Sequence, residues 1–402
     1  MISDHTHLTV LALVVASVVL YVFVPSLSSY NLAESETRHT VGLYNRANDC
    51  FANSVLQALS ASKRLNTFLN RHYEGRNLTS ALKTILDELN RTITESRSIS
   101  PWPFLHVLEK VYNSRITRSQ HDAHELLHLI LETVDAENTE SVAARSKLSS
   151  KDKEEPDTTV DVPFKGKTID KIMCERCRAV LPARSTDFIV LTLPVPQTSS
   201  TDLQSCLSSV LGTERISDYG CQSCRLRALA SRTTEPEKSK LLELDPTDEL
   251  PFDIEARLPK SVTSTIFRST GLAVLPDVLI LHLSRSIYNA GATRNSCRVS
   301  YPEQLTLYTA LSVALETDIR SKDYKLVALV RHKGTHSAGH YECFKRKPAL
   351  NAPESTLENV QKSHKSQAKD WWQISDSKTW ECTTSEVLRQ SRYAYLLVYE
   401  RI

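Results

Sequence analysis

Gly42-Leu43-Tyr44-Asn45-Arg46-Ala47-Asn48-Asp49-Cys50-Phe51-Ala52-Asn53-Ser54-Val55-Leu56-Gln57-Ala58-Leu59 is a polar, turn-forming run that delivers a single thiol to the start of an amphipathic helix. Phe51, Val55, Leu56 and Leu59 recur at helical spacing and anchor that helix in a core. Backbone N–H groups left unpaired at a helix N-terminus carry partial positive charge. They favour thiolate over thiol and donate to a developing oxyanion. Cys50 is therefore a candidate nucleophile. A cysteine on an apolar helix is also an ordinary core residue, and the choice between the two rests on what the rest of the chain supplies.

The 402 residues leave room for one large catalytic domain or two smaller ones. The 49 basic and 47 acidic residues nearly cancel, which points away from nucleic acid as a partner. Nine cysteines are an odd number in a chain too large to depend on a disulfide framework, so thiol or metal chemistry in a reducing compartment is expected. Residues 8–24 form a weakly polar to apolar run ending at Pro25, at the short end of the roughly 20 residues that a membrane span needs. No Lys or Arg precedes it, whereas Arg38, Arg46, Lys63 and Arg64 follow. The positive-inside rule then predicts an N-terminal transmembrane helix with the bulk of the chain in the cytosol. A cleaved signal peptide is the alternative, and Asn77-Leu78-Thr79 and Asn90-Arg91-Thr92 would be glycosylation acceptors in a lumenal protein.

Beyond that run the pattern is α+β. A helix-rich segment reaches about residue 136, a strand-rich, cysteine-bearing region covers about 160–228, and short β-type runs follow from about 263. Polar, charged stretches at about 140–159, 231–259 and 345–369 read as flexible insertions.

Cys174-Glu175-Arg176-Cys177 and Cys221-Gln222-Ser223-Cys224 are two C-x-x-C knuckles, each able to place two thiolates on one ion. Together they predict a four-sulfur zinc site. With every coordination position filled by protein, the zinc is structural. Two unrelated reduced pairs, or a redox pair, are the alternatives. His124-Glu125-Leu126-Leu127-His128 matches H-E-x-x-H, the helix-borne arrangement of a zinc metalloprotease, but lacks a third ligand at a metzincin-like spacing. Near the C-terminus, an alternating strand from Tyr324 runs into a polar loop, and Gly339-His340-Tyr341 opens the next strand. His340 so placed faces a cleft as general base for Cys50, and Gly339 lets a substrate backbone approach closely. His332 and His336 are lesser candidates.

In chain order from about residue 41 to the C-terminus, these segments resemble the ubiquitin-specific protease family, the papain-like deubiquitinases. The Cys50 run is similar to that family's cysteine box. Gln120-His121-Asp122-Ala123-His124-Glu125-Leu126-Leu127 is similar to its Q-Q-D-A-x-E-F-L segment, Leu275-Pro276-Asp277-Val278-Leu279-Ile280-Leu281-His282-Leu283 to its L-P-x-V-L-x-x-H-L strand, and Gly339-His340-Tyr341 to its histidine box. Ala394-Tyr395-Leu396-Leu397-Val398-Tyr399 resembles its closing strand. The resemblance implies a papain-like right hand with a thumb over about 41–136, zinc-bearing fingers over about 160–228 and a palm over about 263–402. Ubiquitin is then the partner, gripped by fingers and palm, with its tail between thumb and palm. Asn45 falls at the oxyanion position, and Asp122 at a position near the basic ubiquitin tail.

Three departures stand out. Ala47 occupies a usual Gly position, and Asp49 a usual Thr position, where its carboxylate either faces the thiol or caps the helix. In Trp371-Trp372-Gln373-Ile374-Ser375-Asp376, Ser375 aligns with the aspartate that orients the histidine, with Asp376 as neighbour or substitute. A Cys-His-Ser arrangement behind an N-terminal span resembles the branch anchored in the mitochondrial outer membrane, with the endoplasmic reticulum as the alternative location. A weak third position also leaves open an inactive ubiquitin-binding adaptor of the same fold.

Overall fold

Five helices lead the described chain: Cys50–Ser60, Lys63–His72, Asn77–Leu89, Trp102–Tyr112 and Ala123–Ser149. Every residue of Cys50–Ser60 is buried, because other helices and the strand Gly339–Arg346 enclose it. Its polar side chains are satisfied locally. Gln57 Nε2 donates to Val41 O at 2.7 Å, Ser60 Oγ to Gln57 O at 2.8 Å and Ser54 Oγ to Phe51 O at 3.0 Å. Glu137 accepts the N–H groups of Leu78 and Thr79, both at 2.9 Å, and so places negative charge at the N-terminus of Asn77–Leu89.

The computed structural model describes residues 39–115, 122–149, 161–289, 291–309, 311–313, 316–318, 320–335, 339–348 and 368–402. The chain divides into two units, 1–39 with 92–96, and 40–91 with 97–402. The helices above and the sheets below belong to the second.

Gly166–Cys174, Arg184–Phe188, Gly212–Tyr219 and Ser264–Val274 form a four-stranded antiparallel sheet, in which Gly166–Cys174 and Ser264–Val274 are central. Much of it is half-buried or exposed, and its small core gathers Cys174, Cys221, Cys224 and Ile266 at one end. An eight-stranded sheet runs in the order Lys378–Cys382, Trp371–Ser375, Gly339–Arg346, Ser321–Gly334, Ala394–Arg401, Val278–Ser284, Leu191–Pro194, with Gln304–Tyr308 pairing Ser321–Gly334 from the side. Leu281, Leu329, Leu397 and Tyr399 lie in its core. This sheet carries His340 and Ser375 on neighbouring strands, with Cys343 opposite Ile374 in the register.

Two expected loops are helical instead. Ala123–Ser149 continues through the first half of the stretch read as an insertion at about 140–159, and 150–160 lie outside the described residues. Within about 231–259, the helices Glu237–Glu243 and Phe252–Arg257 build a satellite core in which Leu241 packs with Leu226, Leu229 and Ala230. The third stretch, about 345–369, begins inside the strand Gly339–Arg346, and 349–367 lie outside the described residues.

The expectation of a single-pass membrane protein, in the mitochondrial outer membrane or the endoplasmic reticulum, is corrected. Among the described residues no helix is long and apolar enough to cross a membrane. Ala123–Ser149 has the length, at 27 residues, but carries Glu125, Glu132, Asp135, Glu137 and Glu140. The run at 8–24 lies outside the described residues.

Candidate active site

Cys50 opens its helix and is 3% exposed. Burial pushes its thiol above the ordinary cysteine range; the Tyr341 backbone N–H pulls it down, the Asp376 carboxylate adds to the rise, and the N–H groups of Phe51 and Cys50 itself oppose it. Tyr341 follows His340 on the strand Gly339–Arg346, so the backbone that reaches the thiol is that of the histidine's own strand.

His340 Nε2 lies 2.8 Å from Ser375 Oγ and 3.9 Å from Asp376 Oδ2. Ser375 ends the strand Trp371–Ser375, and Asp376 turns the chain with a left-handed φ of 52°. With Nε2 engaged by Ser375, Nδ1 is the ring nitrogen left free of that contact. The Asp376 carboxylate is committed elsewhere. It accepts from Asn53 Nδ2 at 2.7 Å and from Asn45 Nδ2 at 3.0 Å, while its backbone carbonyl accepts the Leu43 N–H at 3.0 Å. The hairpin turn can approach this closely because residue 42 is glycine: a Cβ there would sit 2.8 Å from Ser377 O and 2.9 Å from Ser377 Cα.

Asn45 Oδ1 accepts the N–H groups of Ala47 and Asp49, each at 3.1 Å, so both ends of its amide are fixed. Ala47 has no positive φ, so the turn does not demand glycine at that position. Asp49 does not cap the helix. Its carboxylate turns back to accept the Arg46 N–H at 3.1 Å and the Trp102 Nε1–H at 3.2 Å.

The chain matches the family model for ubiquitin carboxyl-terminal hydrolase over residues 41–399. It belongs to that family. Ubiquitin carboxyl-terminal hydrolase 16 of Saccharomyces cerevisiae is 30% identical over 95% of this chain and 94% of its own length. Ubiquitin carboxyl-terminal hydrolase 11 of Schizosaccharomyces pombe is 29% identical over 89% of this chain and 84% of its own. Among solved structures, the SAGA DUB module bound to monoubiquitin contains a chain similar in fold, with a TM-score of 0.59 and 19% identity over 94% of this chain and 74% of that one. The protein is thus a cysteine-type deubiquitinase.

In this hydrolase Asp122 accepts the Tyr395 hydroxyl, 2.6 Å from both carboxylate oxygens, and its Oδ1 takes the His124 N–H at 2.7 Å. The H-E-x-x-H histidines do other work. His124 stacks on His282 at 3.9 Å, and His128 Nδ1 lies 3.2 Å from Glu132. Burial, helped by His124, holds His282 down to about 3, so that ring is neutral. Neither of the motif's histidines falls in a metal-ligating group among the described residues.

Gly339 is also confined by its own fold neighbours. A Cβ there would lie 2.2 Å from His332 Nε2 and 2.6 Å from Lys333 O. The space is filled by His332, itself stacked on Tyr341 at 4.2 Å. His332 is buried against Tyr341, its partner in the strand register, while His336 lies outside the described residues.

Cys174 ends the strand Gly166–Cys174, Cys177 lies in the turn after it, Cys221 is the N-cap of the helix Gln222–Ala230, and Cys224 falls in that helix's first turn. Their four sulfurs lie within 4.8 Å of one another, with Cys174–Cys224 at 3.8 Å and Cys177–Cys221 at 3.6 Å. Thiolates about 2.3 Å from a tetrahedral zinc are roughly 3.8 Å apart, so the set fits that ion. Sequence reasoning missed Asn53, Trp102 and Tyr395 as partners of the site. Asn53 was visible, three residues past Cys50 in the same run, whereas Trp102 and Tyr395 carry no local signal.

Proposed function

We propose that this deubiquitinase cleaves the isopeptide or peptide bond after the C-terminal glycine of ubiquitin, with Cys50 as nucleophile, His340 as base and acid, and Ser375 as the residue that orients the histidine. The observation that carries this reading is the 2.8 Å contact between His340 Nε2 and Ser375 Oγ on a strand whose next N–H, that of Tyr341, reaches the Cys50 sulfur. Cys50 gives its proton to His340 Nδ1 and attacks the glycine carbonyl carbon. The Asn45 amide donates to the resulting oxyanion. As the tetrahedral intermediate collapses, His340 returns the proton to the leaving lysine amine. Water, activated by the same imidazole, then cleaves the thioester and regenerates the thiol.

The helices over about 41–136 form the thumb, the four-stranded sheet with its cysteines the fingers and the eight-stranded sheet the palm. Ubiquitin sits on fingers and palm with its tail passing Asp122; the fold relatives in the SAGA module, bound to monoubiquitin and to ubiquitin aldehyde, support that placement. Zinc held by Cys174, Cys177, Cys221 and Cys224 is structural and fastens the far end of the fingers. Hydrolysis of a ubiquitin C-terminal fluorogenic substrate by wild type and Cys50→Ala is the test. Turnover by wild type alone supports the reading, and an inert wild type that still binds ubiquitin identifies an adaptor.

A further inference from the structure

Asp49 immediately precedes the nucleophile and is 7% exposed. No cation pairs with it among the described residues, and its Oδ2 accepts two N–H groups, from Arg46 and from the Trp102 indole. A buried carboxylate needs such donors. Their placement ties the turn together. Asn45 Oδ1 closes the turn from one side through the Ala47 and Asp49 N–H groups, and Asp49 Oδ2 closes it from the other through the Arg46 N–H.

The indole donor comes from outside the turn. Trp102 begins the helix Trp102–Tyr112, and its own N–H donates to Ser100 Oγ at 3.3 Å. Just before it, Ser98–Ile99 pairs in parallel with Gly42–Leu43, and Ile99 O accepts the Tyr44 N–H at 2.8 Å. One short segment, 98–102, therefore grips the chain on both sides of Asn45: by backbone at Tyr44 and by indole at Asp49.

We propose that Trp102 is a positioning residue for the oxyanion donor. Acting through Asp49, it fixes the turn 45–50 so that the Asn45 amide and the Cys50 thiol keep their mutual geometry while the substrate carbonyl becomes tetrahedral. This rests on the assignment of Cys50 and Asn45 made above. Displacing a catalytic donor by about 1 Å costs on the order of a hundredfold in rate, so loss of one tether to it is expected to cost about tenfold.

The test is steady-state hydrolysis of a ubiquitin C-terminal fluorogenic substrate by the full chain as wild type, Trp102→Phe, Asp49→Ala, Asp49→Asn and the Trp102→Phe/Asp49→Ala double variant, with thermal unfolding followed by circular dichroism. Trp102→Phe keeps an aromatic ring and loses the indole donor, so kcat falls about tenfold with KM within about twofold. The double variant is no slower than Asp49→Ala alone, and Asp49→Asn, which keeps an acceptor oxygen, stays within about threefold of wild type. Unchanged kcat in Trp102→Phe, a loss carried by KM, or losses that multiply in the double variant would overturn the proposal. If Trp102→Phe does not fold, equal kcat losses in Asp49→Asn and Asp49→Ala would overturn it as well. Cys50→Ala in the same assay separates the two levels: turnover without Cys50 removes the underlying reading, whereas a dead Cys50→Ala beside an unaffected Trp102→Phe removes only this inference.

Discussion

Ser375 Oγ, at 2.8 Å, is nearer to His340 Nε2 than the Asp376 carboxylate, which stands 3.9 Å away and is bound to Asn45 and Asn53. In the proposed mechanism the serine and the aspartate thus divide two tasks, orientation of the imidazole and bracing of the oxyanion turn. A hydroxyl fixes the tautomer without supplying the charge that would stabilise imidazolium.

Ser375→Ala removes the partner of Nε2 and leaves the ring free to rotate. A kcat loss of about 10- to 100-fold on a ubiquitin fluorogenic substrate is expected, part of what a positioned acid–base group contributes. Ser375→Asp retains activity. Full activity in Ser375→Ala together with a large loss in Asp376→Ala would reverse the assignment.

The free thiol responds to pH in a defined direction. Burial first, and the Asp376 charge after it, raise the Cys50 pKa against the pull of the Tyr341 N–H, so the free thiol ionises at higher pH than an ordinary cysteine. Alkylation of the free enzyme by iodoacetamide therefore levels off at higher pH than alkylation of an exposed cysteine in a peptide, and Asp376→Asn, which removes one negative charge, shifts the profile to lower pH. A plateau reached by pH 7 in wild type would contradict this. kcat falls in the same variant, because Asn45 loses its carboxylate partner.

Metal analysis of the purified chain is predicted to find one zinc, lost in Cys174→Ser/Cys177→Ser. The four-stranded sheet has little core beyond Ile266 and the cysteines themselves, so stripping zinc with a strong chelator lowers the unfolding midpoint and exposes this sheet to protease before the eight-stranded one.

Gly339→Ala forces its methyl into His332, whose ring is held by Tyr341. Urea unfolding should show a loss of about 1–3 kcal/mol, typical of overpacking. Gly42→Ala meets the Ser377 backbone instead, a neighbour that cannot rotate away. It should lower kcat as well, because the displaced turn carries Asp376.

Much of this was legible in the sequence because the chemistry is local. The Cys50 run shows its own turn and helix, the C-x-x-C pairs show their spacing, and the His340 strand shows its alternation. Other features depend on contacts between distant segments. Nothing near Asp49 announces Trp102, and nothing in Gly339-His340 reveals that His332 fills the space beside the glycine. The helices Glu237–Glu243 and Phe252–Arg257 escaped notice because each is short and charge-rich, and Leu241 shows its role only once packed against Leu226 and Leu229. The H-E-x-x-H match is the opposite case, since its spacing is local but His124 stacks on His282, far along the chain.

The central claim is that Cys50, activated by a histidine held by Ser375, attacks the ubiquitin C-terminus. Incubating the full chain with a ubiquitin probe bearing a C-terminal vinyl electrophile, then mapping the adduct by peptide mass spectrometry, addresses it directly. The account predicts a single adduct on Cys50, absent in Cys50→Ala and formed more slowly in Ser375→Ala. No adduct, or one on any of the other eight cysteines, would contradict it.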